Sequence, residues 1–313
     1  MRISVVLCTY SPDQYDEFVD AAESLYQQTY SDVEVVIVVD GDATVFRRAR
    51  ADFGDRDTTV IHANEENKGL LHSRNVGAEL ASGNYIAFID DDAIAHQDWV
   101  TELAKSYREH DALAVGGQMI PRWIAGKPEH LPAEFYWLIG VTHRGFADTN
   151  GEVRNTFGSN LSFRRDVFLE LGGFNTAVGG RQGAANLQGG ETELCARLRK
   201  CYGRGVWYNP EAIVEHKIFD YRTKPIWLID RAFWQGYSKR AMESFVADTS
   251  ATEAEFLRQL LVRFVPARIR SFVRRPSLPK LEQFVMLWLL TAAVGLGYCY
   301  GILRWNGPPG EQS

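Results

Sequence analysis

The sequence predicts an α/β fold built on a mostly parallel sheet, and three observations carry this. Apolar runs of the kind buried on both faces of such a sheet occur at 3–7, within VEVVIVVDGD at 33–42, and within YIAFID at 85–90. Segments of helical character separate them, giving strand–helix–strand alternation. Each run ends on polar residues: Thr9 and Tyr10, then Asp40, then Asp90, Asp91 and Asp92. Ligands of such sheets gather at the carboxyl ends of strands.

The elements follow in order. The opening MRISVVLCTYSPD turns polar too soon for a signal peptide and reads as a first strand. A polar turn and a helix to about residue 28 come next. The second strand closes on Asp40, VIHANEENKG gives a third strand and a loop, and LLHSRNVGAELASG gives a helix with Gly83 as its C-terminal stop. The next strand runs into three adjacent aspartates. Aspartate punctuates turns and caps helices; mutually repelling carboxylates also gather around a divalent cation. The convergence of three polar strand ends favours the cation.

Residues 112–190 are Gly-rich and less periodic. NTFGSNLSFRRDVFLELGGFN reads as a strand and a short helix stopped by Gly172 and Gly173. GGETELCARLRKCYGRG reads as a helix with Glu191 and Glu193 in its first turn, and VWYNPEAIVEHK as a strand ending at His216. Beyond about residue 225 the alternation gives way to helices bearing Trp227, Trp234 and several arginines.

Net charge is −6, unevenly spread. Residues 256–281 hold Arg258, Arg263, Arg268, Arg270, Arg274, Arg275 and Lys280 with no acid, and 256–313 as a whole is +6, leaving −12 for the first 255 residues. An acidic body argues against nucleic-acid binding, and the basic stretch suits an anionic membrane surface. Residues 284–303 carry no charge, a length that spans a bilayer, with Tyr298, Tyr300 and Trp305 placed for an interfacial belt. The basic residues before this span orient the large domain to the cytosol. The four cysteines show no zinc or CxxC spacing, and no GxGxxG or P-loop is present. Only 8 of the 34 basic residues are Lys, a composition that suits a halophile.

VVLCTYSP, VVIVVDGD, NKGLLHSRNVGAELASGNYIAFIDDDA, GSNLSFRRDVF and GGETELCARLRK stand in the order seen in family 2 glycosyltransferases. The chain resembles these GT-A fold enzymes across about 1–220, and SRNVGAELASGNYIAFIDDD is the most specific block. Its ending and composition resemble membrane-anchored archaeal N-glycosylation transferases that extend dolichol-linked sugars. The resemblance implies a GT-A domain over 1–225, a basic helical membrane-proximal segment over 226–283, a transmembrane helix over 284–303 and a short tail over 304–313.

The resemblance also implies site roles. Thr9, Tyr10 and Asp40 line the nucleoside. Asp90 approaches the ribose or metal-bound water, Asp91 lies beside it, and Asp92 is the principal ligand of Mg²⁺ or Mn²⁺. Arg74 meets phosphate or holds the loop, and His216 is a metal or diphosphate contact. Matching ELCARLRK to the family pattern places Glu191 on the catalytic base, although Glu stands where Asp is usual and Gly190 replaces the companion acid; Glu193 is the alternative. Asn160-Leu161-Ser162 forms a glycosylation sequon, which its family position near the acceptor site explains better than modification. The implied reaction is inverting, metal-dependent transfer of a hexose or hexuronate. The donor is a nucleotide-sugar, by resemblance UDP-linked. The acceptor is a polyprenol- or dolichol-phosphate-linked saccharide at the cytosolic membrane face, for N-glycosylation or surface glycans. The altered GGETEL motif leaves a non-catalytic GT-A scaffold as the alternative.

Overall fold

The computed structural model describes residues 1–178, 180–182, 185–245 and 250–305. The N-terminal half alternates as expected: β1 (Ile3–Thr9), α1 (Tyr15–Tyr26), β2 (Val33–Asp40), α2 (Ala43–Phe53), β3 (Thr59–Asn64), α3 (Leu70–Leu80) and β4 (Tyr85–Asp90). There follow β5 (Ala93–Ala95), α4 (Trp99–His110), β6 (Ala114–Trp123), β7 (Gly151–Val153), β8 (Leu161–Arg164) and α5 (Arg165–Glu170). The short strands β9 (Gly180–Gln182) and β10 (Ala185–Leu187) precede α6 (Gly190–Tyr202) and β11 (Val206–Ile218). Helices complete the chain: α7 (Pro225–Phe245), α8 (Ser250–Gln259), a π-helical turn (Leu260–Phe264), α9 (Val265–Arg274) and α10 (Leu278–Arg304).

Among the described residues one sheet runs β3-β2-β1-β4-β8-β6-β11-β5, with β7 also paired to β11. β3, β2, β1 and β4 are parallel neighbours, as their unbroken apolar runs require. β8 pairs antiparallel with β4 and β6, and β11 pairs antiparallel with β5 and β7. The core between the sheet and α3, α5 and α6 holds Val6, Val36, Val38, Phe88, Phe163, Phe168, Phe174 and Leu194, all buried.

One local expectation changes, and the sequon gains a structural account. The helix after the third strand ends at Leu80, where Ala81 turns extended (φ −59°, ψ 135°), and Gly83 does not stop it. Gly83 instead lies against β1, where a Cβ would come within 2.7 Å of Ser4 Oγ. Asn160 is fully buried: its amide donates to the carbonyls of Gln118 (3.1 Å) and Ala212 (2.8 Å) and accepts from Trp99 Nε1 (2.9 Å). Asn160 is therefore a structural peg, closed to a glycan. By contrast, Gly172 and Gly173 do stop the short helix, both at positive φ.

The chain divides into two compact units. The first comprises Met1–Arg122, Ala147–Gly180 and Gly190–Lys217; the second comprises Trp123–Phe146, Arg181–Gly189 and Ile218–Ser313. In the second unit α10 packs along α7 at small residues. A Cβ on Gly236 would lie 1.9 Å from Val294 O, and one on Gly297 1.8 Å from Phe233 O. By length and composition α10 can cross a membrane. The rings near its C-terminal end face α7: Tyr298 donates to Glu243 (2.9 Å), and Tyr300 and Trp305 pack on Tyr237. The expected tail lies, beyond Trp305, outside the described residues.

Candidate active site

The carboxyl ends of β1, β4 and β11 meet in the first unit. β1 lies beside β4 with Cys8 opposite Asp90, and β11 folds back on β5 with His216 opposite Ala93. This register sets His216 Nε2 3.2 Å from Asp92 Oδ1, both residues being under 10% exposed. Lys217 N donates to Asp92 O at 2.9 Å and locks the same register.

Lys217 is the residue the sequence reading missed. Strand alternation turns it away from His216, and it is 2% exposed. Its ammonium pairs with Glu17 and, at 2.7 Å, with Asp20, both on α1. A buried lysine costs several kcal/mol unless paired; the pairing ties α1 to the strand that carries His216. The available signal was a lysine following a polar strand end.

Asp90 is held from beneath. Arg74, 3% exposed on α3, donates from Nη2 to Asp90 Oδ1 at 2.5 Å, and its guanidinium lies over Phe88 and Phe174. A Cβ on Gly158 would come within 2.7 Å of Arg74 Nη1, so a side chain there would have to push the guanidinium aside. Ser159 Oγ accepts from Asp90 N at 3.0 Å.

Burial, then the charges of Asp92 and Asp90, push the Asp91 carboxyl up to about 7. Thr9 faces Asp91 and favours its charged form, but neither Thr9 Oγ1 nor Asp91 Oδ2 completes a hydrogen bond within the protein. Crowded carboxylates with an orphaned buried oxygen fit a cation. Among the described residues no three His, Cys, Asp or Glu side chains close a metal cage. Asp92 and His216, 3.2 Å apart, offer one oxygen and one nitrogen donor, a pair that fits a divalent cation only if other groups complete its shell.

Asp40 and Tyr10 differ in availability. Asp40 accepts from Asn64 Nδ2 (2.8 Å), Lys68 N (3.0 Å) and Gly69 N (2.8 Å), so its carboxylate holds the 65–69 loop that leads into α3. Tyr10 is 54% exposed beside the end of β1.

The two glutamates of α6 separate cleanly. Glu193 is 5% exposed and clamped by Arg197 through two 2.7 Å contacts. Arg197 in turn donates to the carbonyls of Leu171 and Gly173, fixing the turn after α5. Glu191 is only part-buried and makes no hydrogen bond or ion pair with another described residue, while Arg74 is its electrostatic neighbour. A base needs a carboxylate that is free to take a proton, and Glu191 meets that condition.

Comparison with known proteins places these features. The family description "Glycosyl transferase family 2" matches residues 4–172. A glucosyl-dolichyl phosphate glucuronosyltransferase of Haloferax volcanii is 48% identical over 307 residues, 98% of each chain. The succinoglycan biosynthesis protein ExoM of Rhizobium meliloti is 27% identical over 75% of this chain and 73% of its own. Among solved structures, the mannosyltransferase PcManGT of Pyrobaculum calidifontis, in complex with GDP-Man and Mn²⁺, aligns with a TM-score of 0.59 at 17% identity, covering 96% of this chain and 87% of that one. S. aureus TarS 1-349 in complex with UDP-GlcNAc aligns with a TM-score of 0.57 at 16% identity, covering 98% and 92%. The structural likenesses are of fold and bear out the GT-A architecture.

Proposed function

Because the chain belongs to glycosyltransferase family 2 and is a glycosyltransferase, we propose that it transfers a hexuronosyl group, glucuronosyl first among them, to a glucosylated dolichyl phosphate. The observation that carries the reading is the 48% identity, across 98% of both chains, with the Haloferax volcanii glucuronosyltransferase. UDP is the nucleotide that the family resemblance implies, and archaeal N-glycosylation or surface glycan assembly is the setting.

The side chains take defined roles in this reading. Asp92 and His216 would hold a divalent cation, Mg²⁺ or Mn²⁺, which when bound would supply positive charge to neutralise the leaving diphosphate. Arg74 keeps Asp90 turned toward the nucleotide ribose, and Thr9, Tyr10 and Asp91 complete the donor side. Glu191 takes the proton of the acceptor hydroxyl as that oxygen bonds to the anomeric carbon. The bond from that carbon to the diphosphate breaks on the opposite face, so the configuration inverts and UDP departs.

Chemistry is assigned to residues 1–225 and anchoring to the C-terminal helices, with 284–303 inside α10 crossing the bilayer and the catalytic domain in the cytosol. Arg240 of α7 pairs with Glu243 at 3.3 Å, and Tyr298 of α10 donates to the same carboxylate at 2.9 Å. The test is donor binding by calorimetry with Mn²⁺ across a panel of nucleotide sugars. UDP-glucuronic acid should bind more tightly than UDP-glucose and GDP-mannose; preference for either of those overturns the donor assignment.

A further inference from the structure

We propose that α9 and the π-helical turn before it lie flat in an anionic lipid surface, with Val262, Ile269 and Val273 inserted below the headgroups. These three residues are 68%, 48% and 74% exposed, although each is a large aliphatic. Spacings of seven and four residues put them on one face of the helix. α9 contains no buried residue.

The polar edge of the helix identifies the occupant. Arg263, Arg270 and Arg274 are exposed alongside the apolar stripe, and no acid occurs anywhere in 256–281. An apolar stripe bordered only by cations suits a sheet of anionic headgroups over acyl chains.

The rest of the second unit holds α9 in place. Arg268 turns inward, where it binds the fully buried Glu134 at 2.5 Å and Gln283 of α10 at 2.9 Å. Lys280 Nζ donates to Ser271 O (3.0 Å) and Arg275 O (2.7 Å), capping α9 and fixing the turn into α10 at Leu278. The elbow carries the exposed face onward through Leu278, Leu281 and Val285, 67%, 45% and 49% exposed. An in-plane helix thus leads directly into the apolar helix.

The proposal rests on reading α10 as the membrane anchor, and it changes what salt should do. Electrostatic contact alone is screened at high ionic strength, whereas an inserted stripe is not.

The experiment uses full-length protein in vesicles of phosphatidylcholine and phosphatidylglycerol. Cys201 and Cys299, the exposed thiols, are replaced by Ser. An environment-sensitive fluorophore is attached in turn to V262C, V273C, R270C and L289C. Labels at 262 and 273 should shift to the blue, be quenched by a lipid-borne quencher and resist iodide, at low and high salt alike. The label at 270 should remain open to iodide. Equal iodide quenching at 262, 273 and 270, with 289 still protected, overturns the proposal and leaves the anchor reading standing. Loss of protection at 289 as well refutes the anchor itself. Protection at 262 and 273 that grows with protein density and ignores the lipid quencher assigns the stripe to a second copy of the chain, and also overturns the proposal.

Discussion

His216 Nε2 lies 3.2 Å from Asp92 Oδ1, brought there by the antiparallel pairing of β11 with β5. Neither residue can reach the other unless that register is right, because a shift of one residue would turn His216 to the opposite face of the sheet. The backbone bond from Lys217 N to Asp92 O fixes the register and the side-chain pair together. In the proposed function, donor chemistry would rest on this one strand pairing.

Asp92→Ala should remove the central ligand without disturbing the fold. Turnover should fall by about 10²-fold or more, with far-UV circular dichroism and melting temperature little changed. Wild-type turnover by the variant at saturating Mn²⁺ would contradict the metal assignment.

Lys217→Met should cost about 2 kcal/mol of stability, less than a fully enclosed ion pair, because Glu17 and Asp20 are 29% and 62% exposed and can rehydrate. It should also weaken Mn²⁺-dependent donor binding by about tenfold, through the loosened His216–Asp92 register, with Lys217→Arg restoring much of both. A melting-temperature loss with unchanged Mn²⁺ affinity would confine Lys217 to holding α1.

Glu191→Gln and Glu193→Gln should fail differently. Glu191→Gln should lower kcat by roughly 10²–10⁴-fold and leave donor affinity intact. Glu193→Gln breaks the clamp with Arg197 and should lower the melting temperature while sparing the chemistry of folded molecules. Single-turnover kinetics beside thermal melts would separate them; the reverse pattern would move the base to Glu193.

His143, in the second unit, gives a pH signature. Its burial, with the Lys239 charge adding, pushes its pKa down to about 4 from 6.5, and Nδ1 has no hydrogen-bond partner. Between these values the unfolded chain binds a proton that the folded chain refuses. Stability should thus fall as pH drops from about 6.5 toward 4, by up to about 3 kcal/mol. Melts of wild type near neutral pH and near pH 5 should diverge, and His143→Phe should narrow the gap; an equal gap in both would contradict this source.

Much of the site was legible because strand ends are marked by chemistry. Runs such as VEVVIVVD and YIAFID, rich in β-branched residues and short, read as buried strands, and Asp40 and Asp90 to Asp92 close them. Partnerships between distant segments were not legible. Nothing in the local sequence tells that Arg197 clamps Glu193, that Arg74 pairs with Asp90, or that Lys217 reaches α1. The burial of Asn160 could not be read, because its three long-range hydrogen bonds leave no trace in neighbouring residues. Gly83 read as a helix stop because its actual constraint, the approach of β1, comes from elsewhere in the chain. The grouping of 123–146 with the C-terminal helices, set by pairs such as Glu134 with Arg268, was equally invisible.

The most direct test is the mass of the lipid product. Purified full-length protein, given UDP-glucuronic acid, glucosyl-dolichyl phosphate and Mn²⁺, should yield the acceptor enlarged by one hexuronic acid, and Asp92→Ala or chelation of the metal should abolish the product. Unchanged acceptor under conditions where a different nucleotide sugar is transferred, or full product formation in the presence of chelator, would contradict the account.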